Sequence, residues 1–274
     1  MFRYEFMVIA FAVGIMLGII IPIIGSNLVF KRLSMTGDAL SHSSLAGVAI
    51  GLLAGANPIY MAMIVSIIAA LIVEFIRKKF QKYAELSLAI IMSVGVGLAA
   101  VLSSFTSINN FDSFLFGSII TITKTELFIT IALFVIIILY FLLFYKEIMF
   151  TSYNETNAKI SGVPVNFINI SYTVLSAVTV ALATRTIGAL LVSSLIVLPI
   201  AASIQISKSY KQTILVAILF SLTAVISGII LAYYIGLKPG GTTVLVAVAI
   251  LIVTMTVKPI KNLIRKMKLK KKIN

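Results

Sequence analysis

Asp38 and His42 are the residues of this chain whose types and spacing are best suited to chemistry. They lie four positions apart in an otherwise uncharged segment, and His42 is the only histidine in the sequence. Residues at i and i+4 share one face of a helix, so the two side chains can reach a common ligand. A carboxylate oxygen beside an imidazole nitrogen suits zinc, manganese or iron, and the chain has no cysteine as an alternative soft ligand. Because ionisable groups are costly in hydrocarbon, an Asp/His pair in a membrane segment is a candidate metal site.

Both residues also have simpler explanations, which the sequence leaves open. Asp38 follows a Thr-Gly pair and could be an ordinary helix N-cap. His42 could be a core histidine whose ring is hydrogen-bonded to Ser41, Ser44 or a backbone carbonyl. One Asp and one His supply too few ligands for tight binding, since zinc prefers about four and manganese about six. Weak coordination does suit an ion conduit, and a second copy of the chain meeting at this face would complete the ligand set.

The composition indicates the elements that must position this pair. Hydrophobic residues make up 61% of the 274 positions and charged residues 11%, and the mean hydropathy is +1.16. Apolar stretches of about 20 residues separated by short polar joints predict an all-α, polytopic membrane protein with a single transmembrane domain over 1–274. The predicted spans are 6–30, 37–55, 58–76, 86–105, 126–145, 166–184, 187–206, 211–235 and 241–257.

Three features of these spans affect the expected count and shape. Pro22 and Gly25 in the first span, and Pro199 in the seventh, predict kinked or partly unwound helices. The stretch 109–121 is apolar but too short to cross a bilayer, and we expect an interfacial or re-entrant helix there. The expected number of spans is therefore eight or nine.

The distribution of basic residues predicts the orientation. The formal charge of +14 could suggest nucleic-acid binding, but the basic residues gather in alternate joints at 31–32, 77–82, 146–159 and 208–211 and in the tail at 258–274. With nine spans, only Arg3, Lys124, Arg185 and Lys238 fall on the other side. The positive-inside rule then places the N-terminus outside and the C-terminus in the cytoplasm, with the basic tail against anionic lipid and no nucleic-acid partner.

The joint at 153–165 carries a second signal. Thr151 or Asn154 can cap a short helix with Glu155 in its first turn, and Gly162 can end that helix shortly before Pro164. A short amphipathic helix between two spans can insert into the groove of another protein. The alternative is a solvated loop with one helical turn.

Several motifs of the chain resemble those of a known family. Glu155, Ala158 and Gly162 resemble the Glu-x-x-Ala-x-x-x-Gly loop with which permease subunits of ATP-binding-cassette (ABC) importers contact their ATPase. The stretch Gly-Asp-Ala-Leu-Ser-His-Ser-Ser-Leu-Ala-Gly at 37–47 looks like the signature of the permeases for zinc, manganese or iron. Further matches lie at 114–119, 188–195 and 238–242, and the resemblance covers about 6–258.

The resemblance implies a type II ABC importer permease in a bacterial cell membrane. Its implied partners are a second copy of itself, two cytoplasmic ATPase subunits and an extracytoplasmic solute-binding protein that delivers the ion. No cofactor is expected to be held permanently, because the divalent ion, zinc or manganese, is the substrate. The sequence has no Gly-x-x-x-x-Gly-Lys-Ser/Thr phosphate loop, so this chain is not expected to be its own ATPase or any other enzyme.

Two other functions compete with this interpretation. A stand-alone secondary carrier could use Asp38 as an ion-coupled site, but it would not need an ATPase-docking helix at 153–165. An ABC permease for a metal chelate would need a wide, non-coordinating pathway, which the Asp/His pair does not favour.

Several other polar residues are weaker candidates. Asn110 and Asp112 could line an ion entrance, and Ser193, Ser194 and Pro199 could shape a helix interface or gate. We expect Thr123-x-x-Glu126 to be a capping box and Arg185 to pair with acidic groups of a delivery protein. Glu74 and Glu85 flank the basic joint at 77–82, where we expect them to be solvated or paired at the surface.

Overall fold

The computed structural model describes residues 4–80, 84–105, 114, 115, 117 and 122–273. Within these ranges the chain forms eleven α-helices and no strand. The helices are α1 (Glu5–Phe30), α2 (Thr36–Leu53), α3 (Pro58–Lys79), α4 (Ala84–Ser103), α5 (Lys124–Leu143), α6 (Tyr145–Tyr153), α7 (Glu155–Ile160), α8 (Val165–Thr186), α9 (Ala189–Ile206), α10 (Tyr210–Ile235) and α11 (Pro239–Ile273). Each of the nine predicted spans coincides with one of them, and the all-α prediction is confirmed.

Seven of the described helices are long and apolar enough to cross a membrane, namely α1, α3, α4, α5, α8, α10 and the first half of α11. The two remaining predicted spans are α2 and the apolar part of α9, Leu191–Ile206. The charged and hydroxyl side chains of α2 lower its hydropathy. A helix that is covered by other helices does not need the uniformly apolar surface that lipid demands.

Of the kinked or partly unwound helices expected at the prolines, the unwound alternative is wrong. The helix α1 runs without interruption through Pro22, and α9 runs through Pro199. At Gly25 the two helices pack closely, because an added Cβ there would lie 2.7 Å from the carbonyl oxygen of Ile196. Close packing against a neighbour keeps a proline-containing helix intact where an isolated helix would open.

The helix α2 lies at the centre of the described residues. It packs against α3 and α4 over most of its length and also contacts α8 and α9. Gly47 permits the contact with α3, since a Cβ at this position would lie 2.7 Å from Cα of Ala62. The candidate Asp/His pair is therefore carried by the most enclosed helix of the fold.

The segment between α5 and α8 contains the short helices α6 and α7, of which α6 was not predicted from the sequence. The predicted capping box at the start of α5 is confirmed: Glu126 N–H donates to Thr123 Oγ1 at 3.3 Å, and Thr123 N–H donates to Glu126 Oε2 at 2.9 Å. The predicted short helix at 109–121 falls almost entirely outside the described residues.

Candidate functional site

Among the described residues, Asp38 and His42 occupy an open face in the first half of α2. Every residue of α2 from Thr36 to Ala49 is buried except these two, which are partly exposed. With a rise of about 1.5 Å per residue, they lie about 6 Å apart along the helix axis, one turn from each other. The sequence-predicted pairing on one face is therefore present, and its side chains point away from the helices that enclose α2.

The structure does not support two of the simpler explanations, namely Asp38 as the N-cap and His42 held by Ser41 or Ser44. The N-cap of α2 is Met35, so Asp38 lies inside the first turn, where a carboxylate favourably faces the helix dipole. The neighbouring hydroxyls have other partners, because Ser41 Oγ donates to the Asp38 carbonyl oxygen at 2.9 Å and Ser44 Oγ pairs with Thr184 Oγ1 at 3.3 Å. The His42 ring is not held by the serines that could have made it a core histidine.

Two glycines bring neighbouring helices against the pair. A Cβ at Gly95 of α4 would lie 2.9 Å from the carbonyl carbon of His42 and 2.8 Å from the backbone nitrogen of Ser43. On the other side, a Cβ at Gly37 would lie 3.4 Å from Cα of Ser193 in α9. The backbone under Asp38 and His42 is thus fixed by α4 and α9 while the two side chains remain accessible.

The structure brings one of the predicted gate residues close to the pair. Ser193 lies beside Gly37 and is partly exposed, as is Ser194, whereas Pro199 is buried further along α9. Asn110 and Asp112, the predicted entrance residues, lie outside the described residues.

A single protomer does not complete a metal site. Among the residues that the structure describes, no group of three or more His, Cys, Asp or Glu side chains could hold a metal ion. Asp38 and His42 therefore remain a pair, fewer ligands than the roughly four that zinc prefers. Their exposure on an otherwise buried helix leaves room for ligands from outside the protomer.

A buried ion pair joins the first turn of α5 to the last turn of α8. Arg185 Nε lies 3.3 Å from Oε1 of Glu126, with side chains 17% and 6% exposed. The guanidinium also stacks over the ring of Phe114 at 4.5 Å. The sequence predicts that Arg185 pairs with a delivery protein, whereas in the structure its guanidinium contacts Glu126 and Phe114 of the same chain. The sequence identified Glu126 only as a capping residue, so its ion pair with Arg185 was not predicted.

The short helix α7 forms where the joint at 153–165 predicted it. Its N-cap is Asn154, whose side-chain oxygen accepts from Asn157 N–H at 3.0 Å. It ends in a Schellman motif: Gly162 N–H donates to the Lys159 carbonyl at 3.2 Å and Val163 N–H to the Ala158 carbonyl at 3.0 Å. Gly162 has φ +83°, a conformation that favours glycine, so this residue shapes the end of the helix.

The two sides of α7 face different surroundings. Ala158 is fully buried, and Glu155 is turned toward the membrane helices of the same chain. On the opposite side Ile160 is 80% exposed and Lys159 is exposed. A surface cavity of about 790 Å³ adjoins the helix. Two of the three motif residues thus attach α7 to its own protomer, and the exposed side presents an apolar tip flanked by a cation.

Glu155 belongs to a polar cluster of five side chains, which we call the ionic joint: Lys31, Glu74, Arg77, Glu155 and Asn169. Lys31 Nζ lies 2.8 Å and Arg77 Nη1 3.0 Å from Glu155 Oε1. Arg77 also donates from Nε and Nη2 to both carboxylate oxygens of Glu74, each at 2.9 Å. Asn169 donates to Glu155 Oε1 at 3.1 Å and accepts from Lys31 Nζ at 2.6 Å.

The electrostatics of the joint follow from this geometry. Burial opposes ionisation of Glu155, but Lys31 and Arg77 outweigh it and hold the pKa of this carboxyl below its ordinary value. Burial lowers the pKa of Lys31, and Glu155 opposes that effect. The expectation that Glu74 is a surface residue is wrong in one respect, because Glu74 is paired but only 5% exposed.

Together, these features define a class of protein: an all-helical, multi-pass membrane protein with a polar pair on its central helix and a short helix projecting at one end. The ABC 3 transport family model matches residues 3–258. The chain belongs to this family of membrane permeases, as its motifs had suggested.

Curated relatives match nearly the full length of the chain. A probable metal transport system membrane protein of Treponema pallidum is 34% identical over 256 residues, which cover 93% of this chain and 96% of the relative. The manganese transport system membrane protein MntC of Listeria monocytogenes is 28% identical, covering 96% and 94%. The high-affinity zinc uptake system membrane protein ZnuB of Buchnera aphidicola is 32% identical, covering 81% and 86%.

A solved structure agrees with the fold. PsaBC from Streptococcus pneumoniae in complex with Fab contains a chain that matches this one with a TM-score of 0.85 and 27% identity. The match covers 98% of this chain and 96% of that one. The arrangement of helices around α2 is therefore that of a permease in this family.

Proposed function

We propose that this chain is the permease of an ATP-driven importer for a divalent transition metal ion, zinc or manganese, with iron(II) as a further candidate. The observation that carries the proposal is the exposure of Asp38 and His42 on a helix segment that is otherwise buried from Thr36 to Ala49. Metal transport is named for the curated relatives in T. pallidum, L. monocytogenes and B. aphidicola. The same donor pair suits zinc and manganese alike.

The proposed working unit is a homodimer in a bacterial cell membrane. Two protomers that meet at the open face of α2 would bring two Asp38/His42 pairs together and supply about four protein ligands, the number zinc prefers. A site assembled from two moving halves can bind and release the ion as the halves separate, which is what alternating access requires.

Energy and delivery are assigned to partners. The exposed side of α7 fits a groove on a cytoplasmic ABC ATPase, and a solute-binding protein on the other side would supply the ion. The ion pairs support this orientation: Lys31, Arg77 and Glu155 meet at one end, and Glu126 and Arg185 meet at the other. The richly basic end is the cytoplasmic one by the positive-inside rule.

The test is uptake of ⁶⁵Zn or ⁵⁴Mn by proteoliposomes that contain this permease with its ATPase and solute-binding protein. Asp38→Asn and His42→Gln keep the side-chain volume and remove donor capacity, so uptake should fall at least about tenfold, the loss seen when even outer ligand partners are removed. Ile50→Ala is the matched control, because Ile50 is also partly exposed on α2 and offers no ligand atom. Wild-type rates in His42→Gln would contradict the metal pathway, and uptake independent of ATP would favour the secondary carrier.

A further inference from the structure

We infer that Glu155 is a positioning residue for transport: through the ionic joint it fastens the ATPase-docking helix α7 to three membrane helices, so that movement of α7 moves them together. This inference rests on the proposed importer function and deepens it. It assigns to Glu155 a role inside the permease, whereas the resemblance of its motif had suggested contact with the ATPase.

Side chains from three membrane helices or their ends meet at one carboxylate oxygen of Glu155. Glu155 Oε1 accepts from Lys31 Nζ, Arg77 Nη1 and Asn169 Nδ2 at 2.8, 3.0 and 3.1 Å. Lys31 immediately follows α1, Arg77 lies in the last turn of α3, and Asn169 lies in the first turns of α8. A single carboxylate of α7 therefore links the ends of three helices that are far apart in the sequence.

Most of the joint is enclosed, and its charges are paired. The side chains of Lys31, Arg77 and Glu74 are only 9%, 15% and 7% exposed, and that of Glu155 is 36% exposed. Lys31 pairs with Glu155, Lys78 lies 3.9 Å from Glu74, and Arg77 is shared between Glu74 and Glu155. Removing one member of such a buried network leaves the others uncompensated, so the network favours moving as a unit over breaking apart.

The helix α7 has an inner and an outer face. Glu155 and Ala158 face the same protomer, whereas Lys159 and the 80% exposed Ile160 face outward. A partner can therefore hold the outer face without displacing the inner one. A small cavity of about 20 Å³ borders Lys31, Glu74, Arg77 and Asn169, which leaves room for one water molecule when the helices shift.

The experiment measures the coupling ratio, metal ions transported per ATP hydrolysed, in proteoliposomes with the complete wild-type, Glu155→Gln or Glu147→Gln complex. Glu147→Gln is the matched control, because it makes the same chemical change in α6 outside the joint. We expect Glu155→Gln to keep the ATPase bound and hydrolysing ATP while the coupling ratio falls about fivefold or more, the scale of an allosteric coupling energy. Glu147→Gln should keep the wild-type ratio.

A second measurement separates a lost connection from a misfolded protein. If Lys31 and Glu155 act through one joint, the double variant Lys31→Gln/Glu155→Gln should transport no more slowly than the worse single variant. Any of three results would overturn the inference. They are a double variant whose loss of transport is the product of the two single losses, an unchanged coupling ratio in Glu155→Gln, and an equal loss in Glu147→Gln. A wild-type complex that moves no metal would instead refute the importer function itself, so the two failures are distinguishable.

Discussion

The contact between α4 and the backbone of His42 allows a sharp test of how Asp38 and His42, the proposed metal pair, are positioned. Gly95 and Gly97 lie two positions apart in α4, yet they differ completely in surroundings. A Cβ at Gly95 would lie 2.8 and 2.9 Å from backbone atoms of Ser43 and His42, whereas a Cβ at Gly97 would meet no atom within 4 Å. The perturbation is therefore Gly95→Ala, with Gly97→Ala as its matched control.

The magnitudes follow from these distances. An alanine in an open helix position is more stable than glycine by about 1 kcal/mol, which is the expected effect of Gly97→Ala. At position 95 the methyl group must push backbone atoms away by about 0.5–1 Å, and overpacking of this kind costs about 1–3 kcal/mol. The propensity gain applies at both positions, so the two variants should differ by the overpacking cost, about 1–3 kcal/mol in the free energy of unfolding, with Gly95→Ala the less stable.

The shift also reaches the metal pair. A ligand site has to be held within about 0.5 Å of its productive geometry. Gly95→Ala should displace the backbone of His42 by at least this distance, and Gly97→Ala should not. Metal uptake should therefore be several-fold lower in Gly95→Ala than in Gly97→Ala. Thermal unfolding in detergent measures the stability difference, and ⁶⁵Zn or ⁵⁴Mn uptake in proteoliposomes measures the function. Equal stability and equal uptake in the two variants would refute the argument that Gly95 sets the position of His42.

Two further outcomes follow from the region around α7. Ile160→Ser removes the exposed apolar tip, so co-purification of the ATPase subunit should fall, while Tyr153→Ser, a similar loss on the neighbouring helix α6, should leave it unchanged; equal binding in both would exclude Ile160 as an anchor. Although burial opposes it, the cationic surroundings hold the pKa of Glu155 below its ordinary value of 4.5, so its stabilising contribution is present above that pH and is lost as the pH falls through the folded value. The difference in Tm between wild type and Glu155→Gln should thus be constant between about pH 8 and 6 and shrink below 4.5; a difference already declining above pH 6 would contradict the low pKa.

The sequence predicted the helices well because the bilayer leaves few alternatives. A spanning segment must satisfy its backbone internally and must be long enough to cross, so nine apolar stretches became nine helices. Asp38 and His42 could be proposed as a site for the same reason, because an ionisable group in an apolar membrane segment is a functional-site candidate by default. These inferences depend on residue types and spacings within one short segment, and a single sequence is enough to show them.

The ionic joint could not be predicted in this way. Glu74 stands beside a run of basic residues, a pattern typical of a solvated surface, and nothing local indicates that its neighbour Arg77 also reaches Glu155. A helix of six residues such as α7 has too few turns for periodicity to show which face is buried. The pairing is a consequence of how distant helices pack, so it becomes visible only in three dimensions.

The short turn between α1 and α2 connects the joint with the metal pair. Lys31, a member of the joint, precedes Asp38 by seven residues, and the turn between them is tightly hydrogen-bonded, with Leu33 N–H donating to the Leu28 carbonyl at 2.7 Å and Thr36 N–H to the Leu33 carbonyl at 2.9 Å. Arg32 within it has φ +59°, a conformation that few non-glycine residues adopt. A turn this short and this constrained has little slack in which to absorb a displacement. If α7 docks the ATPase as proposed, movement of Lys31 with α7 would reach Asp38 at the start of α2, a direct mechanical route from ATP hydrolysis to the proposed metal pair.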